Sequence, residues 1–451
     1  MANVEQLIKQ TPLTVEKIYE YHEKQELLRS GPHRGRLGAS QIGRPCDRGL
    51  WYAFRLCTKP IFSGRILRLF QTGHLEEPRI IEELRGIGCT VHDVDDTSKE
   101  QFEFIALGGH FVCHPDSIIL GVPEAPKTWH LGEYKTMGGT ETQSKDFEKV
   151  VKEGVEKAKP EHFAQVQVGM GLAGLTRALY ICKKKATDEL HSERVKFDKK
   201  AFTRLMERAE RIITSNDVPE RCTKRADDFR CRFCDHKGLC WGTGDVAVPL
   251  SFKMCRTCCH STPQIDEDET WGRWTCSKNG KDIDSTKVCE DHLLLPGLVV
   301  FAAPTDSGDD WIEFTNTDGL VWVHGNKNGQ WGTDELMTVP ASMIDSNVTD
   351  VKEAFEGKMA KFNQIDENLV NRYPPTDSRL DVEFRAYGDT DNNTGFFDWA
   401  AGQYGEATGV FKDENHEAIE YAGKFLAVVY LDNDYAAVWE GNTERKQECP
   451  F

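Results

Sequence analysis

Asp116, Glu133 and Lys135 are the residues whose types and spacing most readily do chemistry together. Two carboxylates side by side hold a hard divalent cation, because Mg²⁺ prefers oxygen ligands and keeps several of its waters. An ammonium next to such an ion orients a water or neutralises a phosphate. For the three to meet, the chain between them has to fold back. Asp116 heads DSIIL, whose β-branched and apolar residues read as a strand. The two prolines of VPEAP end it. HLGEYK then alternates, so that Glu133 and Lys135 share one face and Tyr134 takes the other. A surface hairpin with ordinary charges is the competing reading of Asp-x16-Glu-x-Lys taken alone.

The flanking stretches supply elements to position them. Between Arg65 and Arg85, apolar residues at Ile66, Leu69, Phe70, Ile80, Ile81 and Leu84 predict a helix, interrupted or bent near Gly73 and Pro78, with Glu76 and Glu77 on it. Residues 141–158 are strongly charged and read as an exposed helix. Pro160 sits where a further helix begins, with Gln165 and Gln167 as its polar members. Residues 177–198 read as two strands joined by a polar turn, with the basic run Lys183 to Lys185. Asp198 caps a helix that turns Phe202, Leu205, Met206, Ala209, Ile212 and Ile213 inward. Further upstream, 4–29 reads as a helix, and Trp51 and Tyr52 as core residues. Helices alternating with strands around a short mixed sheet give an α/β core.

At 451 residues, 39% of them hydrophobic, the chain is long enough for two or three domains. No apolar run approaches the ~20 residues that span a bilayer, and the charged start has no signal-peptide core, so a soluble cytoplasmic protein without a membrane partner is expected. The net charge of −17 is unevenly spread: residues 301–451 hold 29 Asp+Glu against 11 Lys+Arg, leaving 44 acids and 45 bases in the first 300. A nucleic acid is expected to engage the first part and to be repelled by the last.

Fifteen cysteines in a reducing compartment argue for metal ligation. Cys231-x2-Cys234-x5-Cys240 offers three soft ligands on a short loop, with Cys222, Cys46 and Cys57 as candidates for the fourth. Structural zinc and an iron–sulfur cluster are both chemically sound there. A second set, Cys255-x2-Cys258 with Cys276 and Cys289, has the spacing of a small zinc-binding module; Cys259, His260 and His292 are spare candidates. Trp271 and Trp274 are expected to pack on it.

With these residues together, the chain from about 34 to 242 resembles the RecB-like branch of the PD-(D/E)xK nucleases, and within it the iron–sulfur members: AddB-type helicase–nuclease domains, CRISPR-associated exonucleases and phage relatives. The resemblance implies that Asp116 is the metal-binding Asp, Glu133 and Lys135 the Glu-x-Lys motif, and Gln165 the Gln of the following helix. It also implies a [4Fe–4S] cluster on Cys46, Cys231, Cys234 and Cys240, clamping a loop of about 190 residues. Gly73-x3-Glu77-Pro78 looks like the phage recombination exonucleases, where the Glu helps bind metal, whereas many iron–sulfur members carry a His on that helix. Gly169 stands where the family's Gln-x3-Tyr has its Tyr. The implied function is Mg²⁺- or Mn²⁺-dependent hydrolysis of DNA, by an exonuclease more than a restriction enzyme, in recombination, replication or repair. Single strands or duplex ends would be the substrate, a helicase or recombination protein the partner, and a bacterial host cytoplasm the setting for a phage-encoded member.

The expected layout is an N-terminal helix (1–33), a restriction-endonuclease-like PD-(D/E)xK core of short mixed sheet flanked by helices (34–245), a zinc-binding module (246–297) and an acidic α+β domain (298–451). In the last, LVVFAAP reads as a strand and 311–331 as a hairpin around Asp318-Gly319 and Asn326 to Gly329. Residues 353–373 read as a helix, and 423–440 as paired strands about Asp432 to Asp434.

Overall fold

The computed structural model describes residues 13–29, 35–95, 97–138, 141–266, 268–327 and 329–344, and the backbone of 406–412, 418–431 and 434–440. It divides into two compact units, Met1–Ser346 and Asn347–Phe451. The first runs α1 (Leu13–Arg29), β1 (Leu37–Gly38), α2 (Ala39–Ile42), α3 (Asp47–Phe54), α4 (Gly64–Gly86), β2 (Thr90–His92), β3 (Phe104–Ala106), β4 (Phe111–Cys113), β5 (Ser117–Leu120) and β6 (His130–Met137). It continues through α5 (Glu141–Glu153), α6 (Val155–Ala158), α7 (Pro160–Ala173), β7 (Arg177–Lys184), β8 (Leu190–Lys196), α8 (Lys199–Thr214) and α9 (Lys237–Trp241). Three short strands follow, β9 (Ser261–Pro263), β10 (Trp274–Cys276) and β11 (Lys281–Ile283), then β12 (Ala302–Ser307), β13 (Trp311–Asn316), β14 (Val321–Gly325) and α10 (Thr333–Thr338).

The central sheet is mixed, in the order β2-β5-β6-β7-β8. β5 pairs antiparallel with β6, through Ser117↔Gly132. β6 and β7 are parallel, with Glu133 beside Tyr180 and Lys135 beside Cys182. A parallel pair cannot be closed by a tight turn, and α5, α6 and α7 make the crossover. Alternation along the strands sorts the two faces. Leu131, Met137, Ala178, Tyr180 and Cys182 pack with Phe147, Val150, Val166 and Met170 of the crossover helices. Ile119, Tyr134, Leu179 and Ile181 pack with Ile80, Ile81 and Leu84 of α4. Helices thus cover both faces of a short mixed sheet, as expected for this part of the chain.

Local signals account for much of the rest. The Asp198 carboxylate accepts the amides of Lys200 and Ala201 and starts α8, which buries Ala201, Ala209, Ile212 and Ile213. Trp51 and Tyr52 are fully buried. The hairpin at Asp318-Gly319 forms, with Gly319 at φ +86° in the left-handed region its turn requires. Other expectations are corrected. α4 runs uninterrupted through Gly73 and Pro78. The helices of 141–158 are amphipathic, sinking Phe147, Val150 and Val155 into the core. Trp274 is 1% exposed, but Trp271 is 57% exposed. In LVVFAAP the strand begins only at Ala302, after a 3₁₀ turn at Pro296–Leu298.

Trp274 is buried by the junction between the core and the second cysteine segment. Its ring stacks on Phe54 at 5.6 Å, with the Arg55 and Arg256 guanidiniums 5.2 and 4.8 Å from its centroid. Arg55 donates to the carbonyls of Arg256 (3.0 Å) and Ser215 (3.0 Å), and Arg256 donates to the carbonyl of Phe54 (2.7 Å). Burial pushes both guanidiniums down, Arg55 to about 10 and Arg256 to about 9. The backbone also ties 246–297 to the segment after it: the amides of Ala247 and Val248 donate to the carbonyls of Val339 and Leu336. Residues 298–344 fall within the first unit.

The described backbone of the second unit is an antiparallel sheet of β15 (Glu406–Lys412), β16 (Ala418–Leu431) and β17 (Asp434–Glu440), in which the paired strands of 423–440 fall. The helix expected over 353–373 lies outside the described residues, as does the start of the one expected over 4–29.

Candidate active site and cysteine sites

The register of β5 on β6 sets the carboxylate site. Gly132 accepts the Asp116 amide at 3.2 Å, and the Tyr134 amide donates to Asp116 Oδ2 at 2.5 Å. Asp116 is therefore held against the backbone on either side of Glu133. Glu133 is 1% exposed, and the Lys135 ammonium, two residues along the same face, forms a direct ion pair with it. Beneath them the Ser117 and Tyr134 hydroxyls hydrogen-bond at 2.6 Å.

These groups perturb one another. Burial pushes Glu133 up to about 8, opposed by Lys135 and reinforced by Asp116 and Glu77. Burial raises Asp116 too, against the pull of Lys135 and of the Tyr134 amide. Burial works against the Lys135 ammonium, but Glu133 and Asp116 outweigh it and raise its pKa above the lysine range. Glu77 is raised by burial and then by Asp116. Three carboxylates around one ammonium carry more negative charge than the site can hold. A divalent cation would relieve that excess, and the all-oxygen donor set suits Mg²⁺ or Mn²⁺.

Helix phase separates the two glutamates of α4. Glu77, its side chain 37% exposed, faces the site, with His74 3.8 Å away. Glu76 points elsewhere, to Lys183 at 2.6 Å and Arg79 at 3.4 Å. On α7, Gln167 is consumed structurally: it donates to the carbonyl of Lys196 and accepts the amide of Asp198, both at 2.8 Å. Gln165 is buried and bonded to no partner among the described residues. The glycine at 169 is explained by close approach. A Cβ there would stand 2.8 Å from Leu131 Cδ1 and 3.3 Å from Cys113 Sγ, so no tyrosine fits between α7 and the sheet.

One neighbour was not marked by the sequence. His162, one turn before Gln165, hydrogen-bonds Tyr180 Oη through Nδ1 at 2.8 Å. Burial, then Lys135 and Lys159, push its pKa down to about 3, so the ring is neutral. The signal available was its i, i+3 spacing from Gln165 on a helix with Pro160 at its start.

Cys46, Cys222, Cys231, Cys234 and Cys240 line one small cavity of about 20 Å³, with Tyr52 and His236. Its two halves are joined to each other. Asp47, next to Cys46, pairs with Arg208 (2.6 Å) and Arg211 (3.1 Å) of α8, and Arg48 donates to the carbonyl of Pro219 at 2.6 Å. Cys222 hydrogen-bonds Cys46, and burial raises its thiol to about 12. Cys57, the third candidate for a fourth ligand, is fully buried and does not line the cavity. In the second set, Cys258, Cys289 and Cys276 all act on Cys255, which burial raises to about 12. Cys258 is lowered to about 6 by a hydrogen bond from Cys259, and the Leu293 amide also donates to its sulfur, at 3.5 Å. His292 is used up: its ring bonds Thr333 at 2.9 Å and the carbonyl of Met254 at 3.0 Å. Both donor sets suit a soft, thiolate-bound metal. As the side chains stand, no three His, Cys, Asp or Glu among the described residues converge closely enough to grip an ion.

A cavity of about 950 Å³ opens elsewhere, between the second cysteine segment and β12–β13. Its lining includes Asp306, Asp309 and Asp310, with Lys278 already paired to Asp310. Among the described residues no helix is long and apolar enough to cross a membrane.

No protein-family model and no curated protein matches this chain. Among solved structures it is similar to that of SSO0001, at 13% identity and a TM-score of 0.32 over 51% of this chain and 97% of the other. It is also similar to the alkaline exonuclease LHK-Exo of Laribacter hongkongensis, at 14% identity and a TM-score of 0.29 over 44% of this chain and 90% of that one. The same exonuclease in complex with dAMP gives 15% identity and 0.28, with the same coverage.

Proposed function

We propose that the first unit is a Mg²⁺- or Mn²⁺-dependent deoxyribonuclease, an exonuclease acting on DNA in recombination, replication or repair. The observation that carries this is Glu133: a carboxylate 1% exposed, in direct contact with Lys135 and crowded by Asp116 and Glu77. Such a group is costly to the fold and is the kind of perturbed cluster found where chemistry is done. Asp116 and Glu133, with Glu77, are the residues that hold the cation. Bound there, it supplies Lewis-acid polarisation of the scissile phosphate. Lys135 orients the attacking water and balances the charge that develops on the phosphate. Gln165, buried with its amide unspent, positions the water or the strand. The cysteines are structural in this reading: Cys46, Cys231, Cys234 and Cys240 carry a [4Fe–4S] cluster, and Cys255, Cys258, Cys276 and Cys289 a zinc ion.

The test uses end-labelled linear and closed circular DNA with the full chain. Degradation of linear DNA with Mn²⁺, its loss in EDTA, and its loss in Lys135→Ala are expected. Cleavage undiminished in that variant overturns the assignment. Binding without cleavage by the wild type favours a nucleic-acid-binding or assembly role instead.

A further inference from the structure

The loop that carries the first cysteine set also carries two phenylalanines that the fold leaves in water. Phe229 is 80% exposed and Phe233 87% exposed, although apolar rings of that size ordinarily find cover. They are set by Cys231, which lies between them. Turning its thiol inward draws 229–231 into a 3₁₀ turn capped by the Asp228 carboxylate, and the rings on either side are thrown outward. Each has a guanidinium over it, Arg230 at 5.8 Å from Phe229 and Arg232 at 5.4 Å from Phe233. Arg230 is bound to Asp228 by two 2.9 Å contacts. Arg232 pairs with no carboxylate among the described residues. Residues 221–240 hold six Lys and Arg against three Asp.

A cationic cavity adjoins this loop. The Thr58 hydroxyl bonds His236 Nδ1 at 2.6 Å and so docks the segment after α3 beside Asp235. The resulting space, about 280 Å³, is lined by Arg36, Arg44, Lys59, Phe62 and Asp235 among others. Arg36 is engaged by Glu103 at 2.9 Å. Arg44 and Lys59 have no acidic partner among the described residues.

We infer that Phe229, Phe233 and Arg232, with Arg44 and Lys59 in the adjoining cavity, form a binding surface for single-stranded DNA; this rests on the deoxyribonuclease reading above. Bases stack on exposed aromatic faces while nearby cations follow the phosphates, and stacking tolerates any sequence. A duplex keeps its base faces covered and gains only the charge contacts. An apolar protein partner would bury the rings but leave the free guanidinium and ammonium unanswered.

The test is fluorescence anisotropy of a labelled oligothymidylate and of a duplex of equal length, with the full chain in buffer free of divalent cations. The wild type is expected to prefer the single strand. F229A/F233A weakens that binding by about thirtyfold or more, as two lost stacks require. F229W/F233W retains it, and R44A/K59A flattens its salt dependence. Matching thermal melts exclude loss of fold, and the tryptophan and Arg44/Lys59 variants decide the matter if the alanine variant does not fold. Unchanged affinity in F229A/F233A, no binding by the wild type, preference for the duplex, or self-association that these rings alone control overturns the inference. Single-strand binding without Mn²⁺-dependent cleavage would sink the nuclease reading and leave this surface standing. Cleavage with normal binding by F229A/F233A does the reverse.

Discussion

The carboxylate site and the first cysteine site share one unit and are held in place by opposite means. Glu133 and Lys135 sit on β6 and Asp116 just ahead of β5, where backbone hydrogen bonds fix the three positions whether or not anything is bound. The cysteines sit on a helix cap, a 3₁₀ turn, a short loop and the five-residue helix α9, with their sulfurs facing a cavity barely larger than one water. The first arrangement pays for order with charge: the frame is rigid and the crowding of carboxylates is the strain. In the second the donors are relaxed and the frame is thin. Losing a group from the first should cost reaction and little fold; from the second, fold before reaction.

The largest effect expected is on rate. Lys135→Ala lowers Mn²⁺-dependent cleavage by about a thousandfold or more, with a melting temperature close to wild type. A melting temperature that collapses alongside the rate would erase the distinction between the two sites. Next comes the paired substitution of Cys231 and Cys234 by Ser. Removing the proposed clamp across so long a loop costs about 2–5 kcal/mol, which for a unit of this size lowers the melting temperature by roughly 3–7 °C. Differential scanning calorimetry of the purified variant measures it.

A pH series sharpens the same contrast. The folded chain raises Glu133 from 4.5 to about 8, so it keeps a proton that the unfolded chain releases. Stability of the cation-free protein is then full below about 4.5 and is lost as pH rises through about 8. Thermal melts across that window should show the decline, Mn²⁺ should remove it, and Glu133→Gln should flatten it without any cation. An unchanged slope in Glu133→Gln assigns the decline to another group. The smallest effect is at His162, whose neutral ring bonds Tyr180 and feels the charge of Lys135. His162→Gln is expected to slow cleavage by several-fold, about 1 kcal/mol of misplacement, without shifting the pH profile.

Legibility in the sequence follows the range of the interaction. The strand of HLGEYK, the Asp198 cap and the Asp318-Gly319 turn are local patterns, and the structure contains all three. Cysteine spacing is also local enough to gather Cys231, Cys234 and Cys240, whereas only the family resemblance joins Cys46 to them, and Cys222 lines the same cavity. Choosing between Glu76 and Glu77 needs the phase of α4 against the sheet, and a helix that passes through Pro78 without interruption gives no local clue to it. Gly169 reads as a missing tyrosine until the distance to Leu131 is known. His162, Arg55 and Arg256 act through partners far away in sequence, and no periodicity announces them.

The stacked guanidiniums of Arg55 and Arg256 bear on how this molecule can be divided or recombined. A fragment ending at residue 245 keeps Arg55 but loses the Trp274 ring and the Arg256 carbonyl that receive it. It would expose Phe54 and leave a buried charge with two of its three hydrogen bonds. The complementary fragment inherits the mirror-image fault, with Arg256 deprived of the Phe54 carbonyl. Core and second cysteine segment are in this sense a single unit of inheritance: neither can be traded for a foreign counterpart unless the other half of the stack is traded with it.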